Sequence, residues 1–288
     1  MKNFPPLPHR YLMTALFLAV ACVCPPATAQ KITAADLIAK HLESIGPAAG
    51  RASVKTRIIA GSAQVIFRTE PAGQAIGRAV LASEGAKTLL GMSFPSPVYP
   101  REQFGFNGSS FIAAFVTPGT RSVLGSFLMT NDVIFKQGLI GGVLSAAWPL
   151  SDLESRNART EYLGVKKTGD RMFHALRFIP SRGSDLKITL FFEQDSFRHV
   201  RTEYERVIPA QIDTRSSTNV QTRESRYKMI EDFSSFNAES GLMLPHTYTI
   251  KLSVDTQAGT FLADWILNLA QFSFNDKIDP SSFNISGN

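Results

Sequence analysis

Two periodicities divide the chain. From Thr56 onward apolar and polar residues alternate at the spacing of two expected for half-buried strands, and the main break in that rule is 122–150. There Leu124, Phe127, Leu128, Ile134, Phe135, Leu139, Ile140, Val143, Leu144 and Trp148 recur at mostly helical spacing. Asn131, Asp132, Lys136 and Gln137 interrupt the run, which leaves it short of the roughly 20 apolar residues of a membrane helix. The pattern predicts a glycine-broken helical lid over 122–150, laid on a sheet.

Ahead of the strands, Thr33 is placed to cap a helix with Asp36 in its first turn. Leu37, Ile38, Leu42 and Ile45 form its apolar stripe, and Gly46-Pro47 ends it. His41, near that stripe, reads as a half-buried, hydrogen-bonded histidine. Strands are expected at 56–68, 75–82, 88–94, 103–106 and 110–116, the last two around an Asn107-Gly108 hairpin turn. After the lid they return at 160–166, 172–180, 186–193, 197–207, 226–233, 242–254 and 260–274. The polar stretch 211–224 reads as an exposed loop or hairpin tip, 237–241 as a turn, and Phe283 as a residue packed back on the body. Leu186, Ile188, Leu190 and Phe192 point one way, opposite Lys187, Thr189 and Glu193, which predicts one buried and one wet face. About eleven strands and two helical patches define a mainly β, α+β fold. Its antiparallel sheet, strongly curved, must cover its concave face with the N-terminal helix and the central lid.

Composition changes the picture at the N-terminus. Lys2 and Arg10, the apolar 11–23, and Ala27-Thr28-Ala29 before Gln30 have the layout of an export signal, so 1–29 is read as a signal peptide and 30–288 as a single domain. The product is expected in the periplasm. Ala19-Val20-Ala21-Cys22 loosely resembles a lipoprotein acylation site without its usual leucine, which makes lipid anchoring at Cys22 the minor alternative. Cys22 and Cys24 both lie in the leader, so the mature chain has neither disulfide nor thiol chemistry; about 260 residues can bury enough surface without either. Loss of Lys2 and Arg10 reduces the net charge from +6 to +4. With no dense basic run, nucleic acid is not an expected partner, whereas an anionic membrane surface or headgroup stays open.

The usual enzyme signatures are missing: no Gly-x-Ser-x-Gly elbow, no His-Glu-x-x-His helix and no phosphate loop. Gly138-Leu139-Ile140-Gly141-Gly142 precedes no Lys-Ser or Lys-Thr and reads as a flexible joint or close packing. His41, His174, His199 and His246 lack metal-ligand spacing, so no metal and no cofactor is expected. By strand alternation His199 shares a face with Phe197 and Arg201, and His246 with Leu244 and Tyr248. An acid/base cluster of His199 and His246 with Glu231 or Asp232 is the minor reading beside ordinary hydrogen bonding within the sheet. Arginines crowd 198–226 with acids interleaved, chiefly as cross-strand pairs. Arg198 and Arg201 are the candidate rim for an anionic headgroup or a charged partner. The 21 phenylalanines would fill a closed core, but a curved sheet under a lid can leave an apolar gap suited to acyl chains.

This order of elements resembles the outer-membrane lipoprotein-sorting (LolA-like) family. The nearest local stretches are Leu186-Lys187-Ile188-Thr189-Leu190-Phe191-Phe192-Glu193, then Glu231-Asp232-Phe233 with Gly241-Leu242-Met243-Leu244-Pro245, and the end from Phe274 through Asp279-Pro280 to Phe283. The resemblance implies a half-barrel whose helix-covered concave side binds lipid or an acylated peptide, without a catalytic residue, as a monomer, with an envelope or membrane protein as release partner. Relatives of that fold also include envelope lipid-binding proteins and stress sensors. On this reading Phe127, Phe135, Leu139, Leu144 and Trp148 line the cavity from the lid side. Aspartate at Leu139 and Leu144 is then expected to abolish lipid binding and leave the sheet folded. Two other classes stay open: an envelope structural or protein-interaction module with a fully packed core, and a hydrolase of envelope lipids or polymers using His199 and His246.

Overall fold

Twelve antiparallel strands form one curled sheet that does not close on itself. The computed structural model describes residues 1–2, 32–181, 183–210, 212–213, 220–221 and 223–286. The expected leader, with Cys22, lies outside the described residues except for Met1 and Lys2. The chain divides into the units Met1–Lys31 and Ile32–Asn288, and everything below concerns the second.

It opens with α1 (Ala34–Ile45), fixed by a reciprocal cap: Thr33 Oγ1 accepts the Asp36 N–H at 3.1 Å while the Asp36 carboxylate accepts the Thr33 N–H at 3.0 Å. The buried face is Leu37, His41 and Ile45, so His41 is fully enclosed rather than half-buried. Beyond Gly46-Pro47 a second short helix, α2 (Ala48–Ser53), was not evident from the pattern, since none of its residues is buried.

Five strands then step outward: β1 (Thr56–Phe67), β2 (Gly73–Glu84), β3 (Lys87–Ser93), β4 (Arg101–Phe106) and β5 (Phe111–Ala113). The lid follows as α3 (Val123–Thr130), α4 (Val133–Lys136) and single 3-10 turns at Gly142–Leu144 and Pro149–Ser151. Its second half is therefore tight turns, not helix. The remaining strands are β6 (Arg159–Thr168), β7 (Arg171–Ile179), β8 (Lys187–Glu193), β9 (His199–Ile208), β10 (Ile212–Asp213), β11 (Val220–Gln221), β12 (Ser225–Glu239), β13 (Leu242–Thr256) and β14 (Gly259–Phe274). The pair β10–β11 is a separate ribbon within the stretch read as a loop or hairpin tip.

In space the large sheet runs β5-β4-β3-β2-β1-β14-β13-β12-β9-β8-β7-β6. Strands β5 and β6 are consecutive along the chain yet occupy opposite edges, so 114–158 has to cross the sheet, and the lid is that crossing. Two strand ends differ from expectation. The Asn107-Gly108 hairpin has a four-residue loop, because Asn107 Oδ1 accepts the N–H groups of both Ser109 and Ser110, and pairing resumes at Phe106–Phe111. Strand β12 runs on through Glu239 and turns at Ser240 and Gly241 alone, both at positive φ as a tight two-residue hairpin requires.

The inner face and the lid share one large buried cluster. The outer face is not uniformly wet: Phe191 points there and packs with Phe173, Ala175 and Val200. At the other end of the sheet the C-terminal turn Pro280–Phe283 brings Phe283 against Ala82 and Ile278, as its apolar character suggested.

Candidate functional site

The lid is seated by apolar side chains. Ser122 caps α3 by accepting the Gly125 N–H at 2.8 Å, and Asn131 closes it by donating from Nδ2 to the Phe127 carbonyl at 2.8 Å. All five expected lining residues, Phe127, Phe135, Leu139, Leu144 and Trp148, are buried and belong to the same cluster as the inward residues of the sheet. Phe135 stacks on Phe111 with centroids 4.3 Å apart, and the Trp148 indole lies 4.7 Å from the His199 ring. Leu139 and Leu144 are 0% and 1% exposed, so aspartate there would bury a carboxylate within the sheet's own core. The expectation that such variants keep a folded sheet is thereby corrected.

Polar groups tie the lid backbone down. Glu231 projects inward from β12 in phase with Met229 and Phe233 and is fully buried. Its Oε1 accepts the Gly141 N–H at 2.7 Å and the Tyr248 hydroxyl, and its Oε2 accepts the Tyr204 hydroxyl at 2.6 Å. Burial raises its pKa to about 7, while these three donors pull the other way. Trp148 Nε1 donates to His41 Nε2 at 3.0 Å, and His41 Nδ1, 3.1 Å from the Phe197 carbonyl, is thereby the protonated nitrogen. Desolvation lowers the His41 pKa to about 4, so the ring is neutral. Further ties run from Arg57 Nη1 to the Val143 carbonyl, from Arg156 Nη2 to the Ala147 carbonyl at 2.7 Å, and from the Ala146 N–H to Ser83 Oγ at 2.9 Å. A second buried carboxylate, Glu102, accepts the Tyr99 hydroxyl, which in turn accepts the Trp265 N–H at 2.8 Å; burial raises Glu102 to about 7.

His199 and His246 do not meet over a shared carboxylate. A register shift at Phe191/Phe192 turns His199 inward, where its Nε2 meets Thr202 Oγ1 at 2.9 Å, so it does not share the outward face of Arg201. His246 packs on Phe272 at 4.6 Å, and its Nε2 lies 3.1 Å from Glu239 Oε1 without hydrogen-bond alignment. Neither is bonded to Glu231, which is taken up by the lid and the two tyrosines, or to Asp232, which pairs outward with Arg201 at 2.6 Å and Lys251 at 3.0 Å. Of the candidate rim, Arg201 is thus committed to a cross-strand pair with Asp232 and a pair along its own strand with Glu203, while Arg198 stacks over Phe236. Among the described residues no group of three or more His, Cys, Asp or Glu could hold a metal ion.

The lid glycines are there for close packing. Gly138 sits at φ +71°, and a Cβ on it would lie 2.1 Å from the Ala147 carbonyl oxygen. Gly119 has a similar φ of +75° but open space around it. Gly138→Ala is expected to cost about 3 kcal/mol, strain plus a backbone clash, whereas Gly119→Ala should cost about 1 kcal/mol from strain alone. Urea unfolding of both variants checks this; equal losses would mean that the lid backbone yields freely.

The molecule is a lidded, antiparallel half-barrel whose sheet curls without closing. Among solved structures it is similar to a LolA superfamily protein from Nitrosomonas europaea, at 12% identity over 87% of this chain and 97% of that one, with a TM-score of 0.43. It is also similar to a DUF1329 family protein from Desulfovibrio piger, at 9% identity over 86% of this chain and 95% of that one, with a TM-score of 0.44. No protein-family model and no curated protein matches the sequence. Among the described residues no helix is long and apolar enough to cross a membrane.

Proposed function

We propose that this is a non-enzymatic, exported protein that binds lipid or the acyl chains of a lipoprotein between the lid and the concave face of the sheet. One observation carries the reading: the lid's own apolar side chains occupy that face, while a handful of separable polar ties hold its backbone in place. An acyl chain that displaces Phe127, Phe135, Leu139, Leu144 and Trp148 meets the same apolar surface they now cover. A chain of about fourteen carbons gains on the order of 11 kcal/mol from burial, which has to offset the cost of lifting the lid. The protein would then alternate between a closed empty state and an open loaded one. The leader-like N-terminus supports placing this exchange in the periplasm, where an envelope or membrane protein could take the cargo.

Native mass spectrometry with lipid extraction, on protein purified from periplasm without detergent, is expected to show bound phospholipid or acylated peptide. An empty mass together with no uptake of a fluorescent fatty acid would sink the proposal. That result would favour a packed interaction module, the second reading, which the near-complete burial of the five lid side chains supports.

A further inference from the structure

Beside the lid's second half, a cleft of about 270 Å³ opens between α1–α2 and the turn Gly142–Leu144. Its apolar walls include Leu42, Val143 and Trp148, its polar groups include Arg51, Arg57 and Ser145, and no acidic side chain lines it. Arg57 is only 7% exposed, and apart from the bond of Nη1 to Val143 its buried Nε has no acceptor in the protein. Arg51 spends Nη1 on the Leu42 carbonyl at 2.7 Å and on the Gly46 carbonyl, and neither arginine takes part in an ion pair among the described residues. Two guanidinium groups therefore face one small cleft with no counter-charge. Elsewhere on the sheet, by contrast, several cations are matched to carboxylates, such as Arg201 with Asp232 and Lys228 with Glu203.

We propose that this cleft is a binding site for a phosphate group, held by Arg57 through Nε and by Arg51. Two fixed positive charges call for a ligand with close to two negative ones, which a phosphate monoester carries near neutral pH and a carboxylate does not. Guanidinium forks also match tetrahedral phosphate oxygens as paired donors. A bound phosphate would supply the acceptor that the Arg57 Nε lacks and offset the cost of keeping that charge out of water. Consistent with an unpaired buried cation, desolvation lowers the Arg57 pKa to about 10. The site is independent of the acyl-chain reading, because the cleft lies beside the lid and involves none of the residues proposed to meet an acyl chain except Trp148. Its chemistry fits a free phosphate monoester and the monoester headgroup of a lipid such as a phosphatidic acid alike.

The test is titration calorimetry of the whole protein at low ionic strength with inorganic phosphate, glycerol 3-phosphate and lysophosphatidic acid below its micelle concentration, and a neutral monoacylglycerol as control. Saturable phosphate binding is expected, weakened about tenfold or more by Arg51→Gln and by Arg57→Met, and weakened again by added salt. Binding of the small phosphates identifies a soluble anion site; binding of lysophosphatidic acid alone identifies a headgroup site. No saturable binding of any phosphate, equal affinity in Arg51→Gln, or binding of the neutral lipid as tight as that of lysophosphatidic acid overturns the proposal. Should loss of the Val143 tie keep Arg57→Met from folding, Arg51→Gln, at a partly exposed position, decides the matter alone. Fatty-acid uptake measured on the same variants separates failure of this site from failure of the acyl-chain reading.

Discussion

Trp148→Ala is expected to cost about 3–5 kcal/mol of stability, the range for emptying a large aromatic site in a core that collapses only partly. Trp148 is 3% exposed, packs on His199 and His41, and supplies the N–H that His41 Nε2 accepts. Trp148→Phe keeps most of the ring contact and removes the donor, so it should cost about 1–2 kcal/mol. Urea unfolding followed by circular dichroism measures both, with Trp265 left as the remaining fluorescence probe in the core. A loss below about 1 kcal/mol for the alanine variant would mean that the lid opens outside the cooperative unit, because a residue in the shared core cannot be that cheap to remove.

The second large effect is a pH dependence set by buried carboxylates and buried histidines acting in opposite directions. Glu231 and Glu102 have folded pKa values raised to about 7 by burial, against about 4.3 for an unfolded glutamate. Their contribution is fully present below about pH 4.3 and is lost as pH rises through about 7, on the order of 3 kcal/mol each. His41, lowered to about 4, and His199, lowered well below the usual histidine range by burial and by its neighbour His41, work the other way. Their contribution is present above about pH 6.5 and is lost as pH falls, for His41 through about 4. The two slopes overlap, so the intact protein should change little in stability across that window. Glu231→Gln removes one falling contribution. Its stability relative to the parent should therefore climb by on the order of 3 kcal/mol between about pH 4.5 and about pH 7.5, as read from urea midpoints at one-unit steps. Parallel profiles for the two proteins would show that Glu231 does not change ionisation over this range.

What could be read from the sequence was whatever depends on near neighbours. The cap at Thr33 and Asp36 needs three residues, and the lid announces itself where strand alternation stops. The apolar character of Phe127, Phe135, Leu139, Leu144 and Trp148 was enough to place them inside, though not to say whether a ligand or the sheet meets them. The polar ties escaped because each joins distant segments: His41 with Trp148, Arg57 with Val143, Glu231 with Gly141. Nothing local encodes those meetings, which exist only because β5 and β6 lie at opposite edges. One signal was available, since Glu231 sits in the inward phase of Met229 and Phe233, where a carboxylate needs partners. His199 was misplaced for a different reason: a bulge of one residue reverses every side chain beyond it, and no residue type near Phe191 marks the slip.

The pairing of β1 with β14, in register from Arg57–Phe274, also governs how the chain can fold. Every other pairing in the large sheet joins strands close along the sequence, so the halves β1–β5 and β6–β14 can each form by quick local steps. The seam between them must close a loop of roughly 200 residues, the slow and entropically costly event. Until it closes, the lid is a slack tether between two half-sheets whose inner faces are bare, the condition in which unpaired edges invite aggregation. The strand that completes the seam lies at the end of the sheet's own sequence, so nearly the whole chain must be present before the inner face can be sealed.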